Sequence, residues 1–210
     1  MNSNTLAQVI ASIRNEMVEN KDYLVELDQQ NGDGDLGISM ANGYTVISEF
    51  MYNSDIKDLG MLLMKSASVF NEEAPSSLGT ITSFGLMGMA KSLKGKEEAN
   101  YDEMVDALQA GLDKIMEKAK SKPGEKTILD SLYPGIKVLK ENSELGVEEA
   151  LRLAYVAAEE GSESTKAMLS VHGRAAYYGD KSLGVLDGGS VVGKLIFKGI
   201  YSYFNNLNNN

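Results

Sequence analysis

Apolar residues recur at intervals of three and four through most of the chain. From Leu6, the positions Val9, Ile10, Ile13, Met17, Leu24 and Leu27 form one stripe; Met104, Val105, Leu108, Leu112, Ile115 and Met116 form another. Such spacing buries one face of an α-helix, whereas a half-buried strand alternates every second residue. It predicts helices over 6–27, 38–53, 57–70, 79–93, 101–119, 127–142, 147–178 and 190–206, eight in all. Polar breaks at 94–100, 121–125, 142–146 and 178–189 supply connections. Most are short, so neighbouring helices should run antiparallel in an up-and-down bundle. The expectation is one all-α domain over 1–210, with the Asn-rich tail 205–210 frayed.

Composition narrows the possible chemistry. With no cysteine and one histidine among 210 residues, disulfides, thiolate metal sites, cysteine nucleophiles and multi-histidine zinc sites drop out. Thirty acidic against 20 basic residues give a net charge of −10, which argues against nucleic acid as a partner. No stretch approaches the roughly 18 apolar residues of a membrane span, and the start carries no signal-peptide run. A soluble cytoplasmic domain is expected.

The loop after the first predicted helix holds the most informative chemistry. In Asp28-Gln-Gln-Asn-Gly-Asp33-Gly-Asp35-Leu-Gly37-Ile-Ser39, three carboxylates crowd together with Gly32 and Gly34 between them. Glycine permits sharp reversals, so the carboxylates can converge. Converging carboxylates repel unless a cation neutralises them, and hard oxygen ligands suit Mg²⁺ or Ca²⁺. A helix amino end follows at once and favours phosphate oxygens. The competing reading is a solvated loop whose aspartates cap the next helix. Two familiar strings overlap the loop and fail on context. Gly32-x-Gly34-x-x-Gly37 lacks the preceding strand of a dinucleotide fingerprint. Asn31-x-Asp33-x-Asp35 lacks the glycine and terminal glutamate of a calcium loop.

Three other loops carry weaker signals. Ala74-Pro-Ser76-Ser77-Leu-Gly79-Thr80 offers hydroxyls and amides at a helix start, or an ordinary serine cap. Lys122-Pro-Gly-Glu-Lys126-Thr127-Ile-Leu-Asp130 fits a capping-box variant, with Lys126 as a surface charge. In the last region, Arg174 can grip phosphate or carboxylate, while His172 reads as structural. Gly188-Gly-Ser-Val-Val-Gly193-Lys194 nearly spells a P-loop, but Leu195 replaces its metal-binding hydroxyl.

The order of these motifs resembles one family along almost the whole chain: the nucleotide-binding L subunit of bacterial dihydroxyacetone kinases. The resemblance rests on Gly32-Asp-Gly-Asp35-x-Gly37, Pro123-Gly-Glu-Lys-Thr127 with Asp130, and Gly173-Arg-Ala-x-Tyr177 with Gly179; the length also matches the free-standing subunit. It implies an eight-helix up-and-down barrel with ADP or ATP and two Mg²⁺ at its open end. Asp28, Asp33 and Asp35 would ligate the metal and serve catalysis. Leu36, Gly37, Ile38 and Ser39 would open the helix facing the phosphates. Ser76, Ser77, Gly79 and Thr80 would form the phosphate loop, and Ala119 and Ile128 would line the adenine pocket. Arg174, Asp187, Gly188 and Gly189 would close the site. The acceptor, dihydroxyacetone or a related ketose, would be held through a histidine of a separate K subunit.

Departures from the family pattern bear on the donors around the phosphates. Leu36 stands where histidine is usual, Ser39 where asparagine is usual, and Ala74-Pro-Ser-Ser-Leu-Gly79 replaces a Gly-Gly-x-Ser-Gly string. Two modes stay open within the family: a resident nucleotide recharged by a phosphocarrier M subunit of the phosphoenolpyruvate system, or consumption of free ATP. Two other classes remain beside a kinase subunit: a degenerate module that holds nucleotide and regulates a partner, and a purely structural bundle.

Overall fold

The computed structural model describes residues 1–208. Among them are nine α-helices: α1 (Ser3–Glu19), α2 (Lys21–Gln29), α3 (Leu36–Tyr52), α4 (Leu59–Glu73), α5 (Ser77–Ser92), α6 (Tyr101–Ala119), α7 (Leu129–Glu141), α8 (Val147–Ser164) and α9 (Gly188–Asn208). The described residues contain no strand, only an isolated antiparallel bridge between Asn2 and Glu98.

Two expected helices divide or stop early, each for a local reason. The 6–27 stripe breaks at Asn20, whose side-chain amide donates to the Glu16 carbonyl at 2.9 Å and competes with the helical ladder. The apolar stripe is unbroken there, so periodicity alone does not reveal the bend. The 147–178 helix ends at Ser164. Ser164 and Thr165 hydroxyls donate to the carbonyls of Gly161 and Ser162, each at 2.7 Å, and the chain leaves as a 3-10 turn. At the other terminus, α9 continues to Asn208, so residues 205–208 are helical where fraying is expected. Residues 209 and 210 of that tail lie outside the described residues.

Eight of the helices close a ring in the order α1, α3, α4, α5, α6, α7, α8, α9 and back to α1, with α2 packed outside on α3. Ring neighbours run antiparallel. On α5 and α6, Gly88 faces Gly111 while Gly85 faces Ile115. Glu159 of α8 lies near Lys194 of α9, and Tyr155 stacks on Tyr201. Closure between α9 and α1 is marked by Tyr203 donating to Gln8 at 2.6 Å and by Lys198 paired with Glu16 at 2.7 Å. The fold is therefore an all-α, up-and-down barrel.

The interior is apolar, with Met17, Met40, Leu63, Phe70 and Phe197 at 1% exposure or less, and it retains a cavity of about 280 Å³. Several glycines set helix separations. A Cβ on Gly135 would meet the Phe197 ring at 2.5 Å, and one on Gly193 would meet Ser131 Oγ. The P-loop-like string in α9 is thus explained by packing on α7. Antiparallel alternation sends the loops 30–35, 74–76, 120–128 and 165–187 to one end of the barrel. These are the four loops with unusual chemistry.

No helix among the described residues is long and apolar enough to cross a membrane.

Candidate nucleotide and metal site

The four loops enclose a cleft of about 1040 Å³ at the open end. On one wall stands the acidic loop. Asp28, in the last turn of α2, accepts the Gly34 amide at 2.7 Å, and Gly34 adopts φ +78° to make that return. Gly32 packs directly on the Asp28 carboxylate, where a Cβ would have no room. Asp35 occupies the cap position of α3, yet its side chain makes no capping hydrogen bond. The capping alternative therefore fails for Asp35.

Oxygens of Asp28, Asp33 and Asp35 lie within 4.8 Å of one another. Burial and the neighbouring Asp28 raise the Asp35 pKa above the usual carboxylate range, the expected response of a carboxylate crowded by another. Arg174 reaches across from the last loop and pairs with Asp33. A hard cation suits this donor set, since three convergent carboxylates without a basic partner for each repel one another.

The second wall is the start of α5. Ser76 caps that helix, accepting the Gly79 amide at 3.0 Å. Its hydroxyl donates to Ser39 Oγ at 3.1 Å, and Ser39 donates to the Leu36 carbonyl at 3.1 Å. This hydroxyl relay ties the starts of α3 and α5 together. Ser77 and Thr80 line the cleft with exposed side chains. Gly79 lies behind them, its Cα against the Ala74 carbonyl.

The third wall is apolar, built from Ile115, Ala119, Ile128 and Leu129. Above it, Ser170 buries a hydroxyl oxygen that has no hydrogen-bond partner among the described residues. Such an orphaned donor costs free energy unless something else satisfies it. His172 at the rim pairs through Nε2 with Glu125 at 2.6 Å, in keeping with a structural histidine.

The floor is the start of α9. Asp187 accepts the Ser190 amide at 2.6 Å and so caps α9. Burial pushes its pKa up to about 7, against the opposing pull of that amide. Gly188 lies against Leu36, and Gly189 against Ile128.

Most expected site residues thus share one cleft: Asp28, Asp33, Asp35, Leu36, Ser76, Ser77, Thr80, Ala119, Ile128, Arg174, Asp187, Gly188 and Gly189. Gly37, Ile38, Ser39 and Gly79 do not line it. Gly37 packs on the Lys21 carbonyl and Val25 of α2, Ile38 is 47% exposed elsewhere, and Ser39 is buried in the relay. Sequence reasoning missed Lys126, which is expected at the surface but is only 4% exposed. Its motif partner Asp130 gave the one available signal, because Asp130 accepts the amides of Gly124 at 2.5 Å and Thr127 at 2.7 Å and so shapes the turn.

Comparison with known proteins bears on the family and the fold. Residues 30–202 match the DAK2 domain. The PEP-dependent dihydroxyacetone kinase, ADP-binding subunit DhaL, of Escherichia coli K12 is 29% identical over 171 residues, covering 80% of this chain and 81% of that protein. The dihydroxyacetone kinase of C. freundii has the same fold, with a TM-score of 0.76 at 22% identity over 96% of this chain. The chain spans 34% of that larger protein. A second structure of that kinase, in complex with AMP-PNP and Mg²⁺, superposes with a TM-score of 0.74 at 22% identity; it covers 93% of this chain and 33% of that one.

Proposed function

The chain belongs to the DAK2 domain family, and on that premise we propose that it is the ADP- or ATP-binding subunit of a dihydroxyacetone kinase. It passes a phosphoryl group from Mg-bound nucleotide to dihydroxyacetone or a related short ketose on a separate K subunit. The observation that carries this reading is the convergence of Asp28, Asp33 and Asp35 beside two helix amino ends in one large cleft.

In this reading Asp28, Asp33 and Asp35 hold two Mg²⁺ ions. Bound there, Mg²⁺ offsets the phosphate charge and polarises the transferring phosphoryl group. The positive ends of α3 and α5 face the phosphates, as helix starts do, and Ser77 and Thr80 add hydroxyl donors. Arg174 trades its contact with Asp33 for a phosphate oxygen, for which its planar fork is suited. Ala119 and Ile128 cover the base. Gly37 and Gly79 let the helix starts approach closely, and Ser39 orients Ser76 through the hydroxyl relay. Asp187, Gly188 and Gly189 close the floor.

In this reading the ketone is held by a histidine of the K subunit, since this chain's one histidine, His172, is engaged by Glu125. Exposed apolar residues Leu169, Val171, Tyr177, Tyr178 and Leu183 stand on the loop that borders the cleft, as a docking face for the K subunit would require.

A second reading has its own support. Leu36 puts an apolar side chain at the cleft where a donor would help, and the Ser39 and Ser76 hydroxyls are spent on each other. A nucleotide-holding module that regulates a partner fits that reduced donor set. The deciding experiment mixes the chain with a K-type subunit and dihydroxyacetone. One arm supplies MgATP; the other supplies ADP with phosphoenolpyruvate and its phosphocarrier proteins, including the M subunit. Formation of dihydroxyacetone phosphate in either arm supports the kinase reading and identifies the mode. Nucleotide binding with no product in either arm supports the regulatory one.

A further inference from the structure

The open end contains one buried charge that the reading above leaves without a task. Lys126 sits at φ +60°, a left-handed conformation costly for a residue with a Cβ. Asp130 holds it there by accepting the amides on either side, Gly124 and Thr127. The side chain then runs inward, and Nζ donates to the carbonyls of Met168 at 3.2 Å, Ser182 at 2.5 Å and Val185 at 2.8 Å. An ammonium has three N–H groups. All three are committed to backbone carbonyls, so none is left for a phosphate.

The three carbonyls belong to the two legs of one strap. The chain leaves the barrel at Met168, carries His172, Arg174 and Tyr177 over the cleft, and returns at Val185. Around the ammonium, Gly184 donates to the Lys166 carbonyl at 2.8 Å and Ser170 to Ser182 Oγ at 3.1 Å. Ser182 itself is fully buried. Burial lowers the Lys126 pKa while the Asp187 charge opposes the shift.

We propose that Lys126 is a positioning residue, whose ammonium closes the base of the 168–185 strap and so sets Arg174 over the acidic loop without touching the phosphates. This rests on the nucleotide reading of the cleft. It also gives the Pro-Gly-Glu-Lys-Thr motif a task, which is to build the turn that aims this lysine at the strap. Removing the ammonium leaves three carbonyls at the strap base unpaired, a state that opening to water relieves.

The test uses the full chain as wild type, Lys126→Met, Arg174→Ala and the double variant. Amide hydrogen exchange without nucleotide should be at least about tenfold faster across 168–185 in Lys126→Met, with the barrel helices unchanged. MgADP affinity should fall about tenfold in Lys126→Met, yet less than about twofold when the same change is made on Arg174→Ala, because the lysine acts through the arginine. Full additivity in the double variant, with strap exchange unchanged, would make Lys126 a direct phosphate ligand and overturn the proposal; so would wild-type affinity in Lys126→Met.

Should that variant fail to fold, acetylation of wild type decides. Lys126 should react at least about tenfold more slowly than Lys122 with and without MgADP, since its committed, buried amine is not a free nucleophile. Rapid reaction that only MgADP blocks would overturn the proposal. A wild-type chain that binds no MgADP instead sinks the nucleotide reading, and strap exchange then decides the anchor by itself.

Discussion

Asp28 and Gly34 are joined by a 2.7 Å hydrogen bond from the glycine amide to the carboxylate, and that bond folds the acidic loop back onto the end of α2. The loop's shape and its charge can be separated by two variants. In Asp28→Asn the amide oxygen still accepts from Gly34, so the loop persists while one metal-ligating charge is lost. In Gly34→Ala the charge persists, but a Cβ would meet Gln29 Cγ at 2.8 Å in a residue at φ +78°. Urea unfolding should show near wild-type stability for Asp28→Asn and a loss of about 1–2 kcal/mol for Gly34→Ala. Both should bind MgADP at least about tenfold more weakly by titration calorimetry, about 1.4 kcal/mol or more.

Gly37 acts in packing rather than at the cleft surface. A Cβ there would collide with the Lys21 carbonyl and meet Val25 Cγ2 at 2.9 Å. Backbone cannot yield as a flexible side chain can, so Gly37→Ala should cost about 1–3 kcal/mol. Calorimetry should record a melting temperature lower by about 2–4 °C for each kcal/mol lost.

Asp187 should leave a signature in the pH dependence of stability. Its pKa rises from 3.8 unfolded to about 7 in the fold, so between those values the folded state holds a proton that the unfolded state has released. Stability then falls as pH rises from about 4 to about 7 and levels off above. Asp187→Asn keeps an acceptor for the Ser190 amide, because asparagine caps helices as aspartate does, while removing the titration. Urea unfolding at stepped pH should show a flatter profile for the variant, with its relative advantage greatest above pH 7. Parallel profiles would contradict the buried-acid assignment.

The barrel was legible because helix packing is written in periodic apolar positions, and short connections fix alternating directions. The breaks at Asn20 and Ser164 were not, since they depend on side-chain hydrogen bonds to nearby carbonyls that leave the apolar stripe intact. The acidic loop was legible for a different reason: three carboxylates separated by glycines have few stable arrangements. Whether Asp35 caps α3 or faces the cleft could not be read from its position, because both readings need an aspartate just before a helix. Lys126 was the hardest residue to read. A lysine in a Pro-Gly turn is ordinarily solvated, and the carbonyls that receive its ammonium lie about forty to sixty residues away along the chain. Only the folded strap brings them together.

The central claim is that the convergent carboxylates bind metal-complexed nucleotide. Calorimetric titration with ADP, with Mg²⁺ and then with a chelator, on wild type, Asp33→Ala and Asp35→Ala tests it most directly. The account predicts Mg²⁺-dependent binding in wild type and affinity at least about 100-fold weaker, or about 2.7 kcal/mol, in each variant. Circular dichroism should show unchanged helicity, since neither side chain caps a helix. Binding that is indifferent to Mg²⁺ and to both substitutions, or absent from wild type, would contradict it.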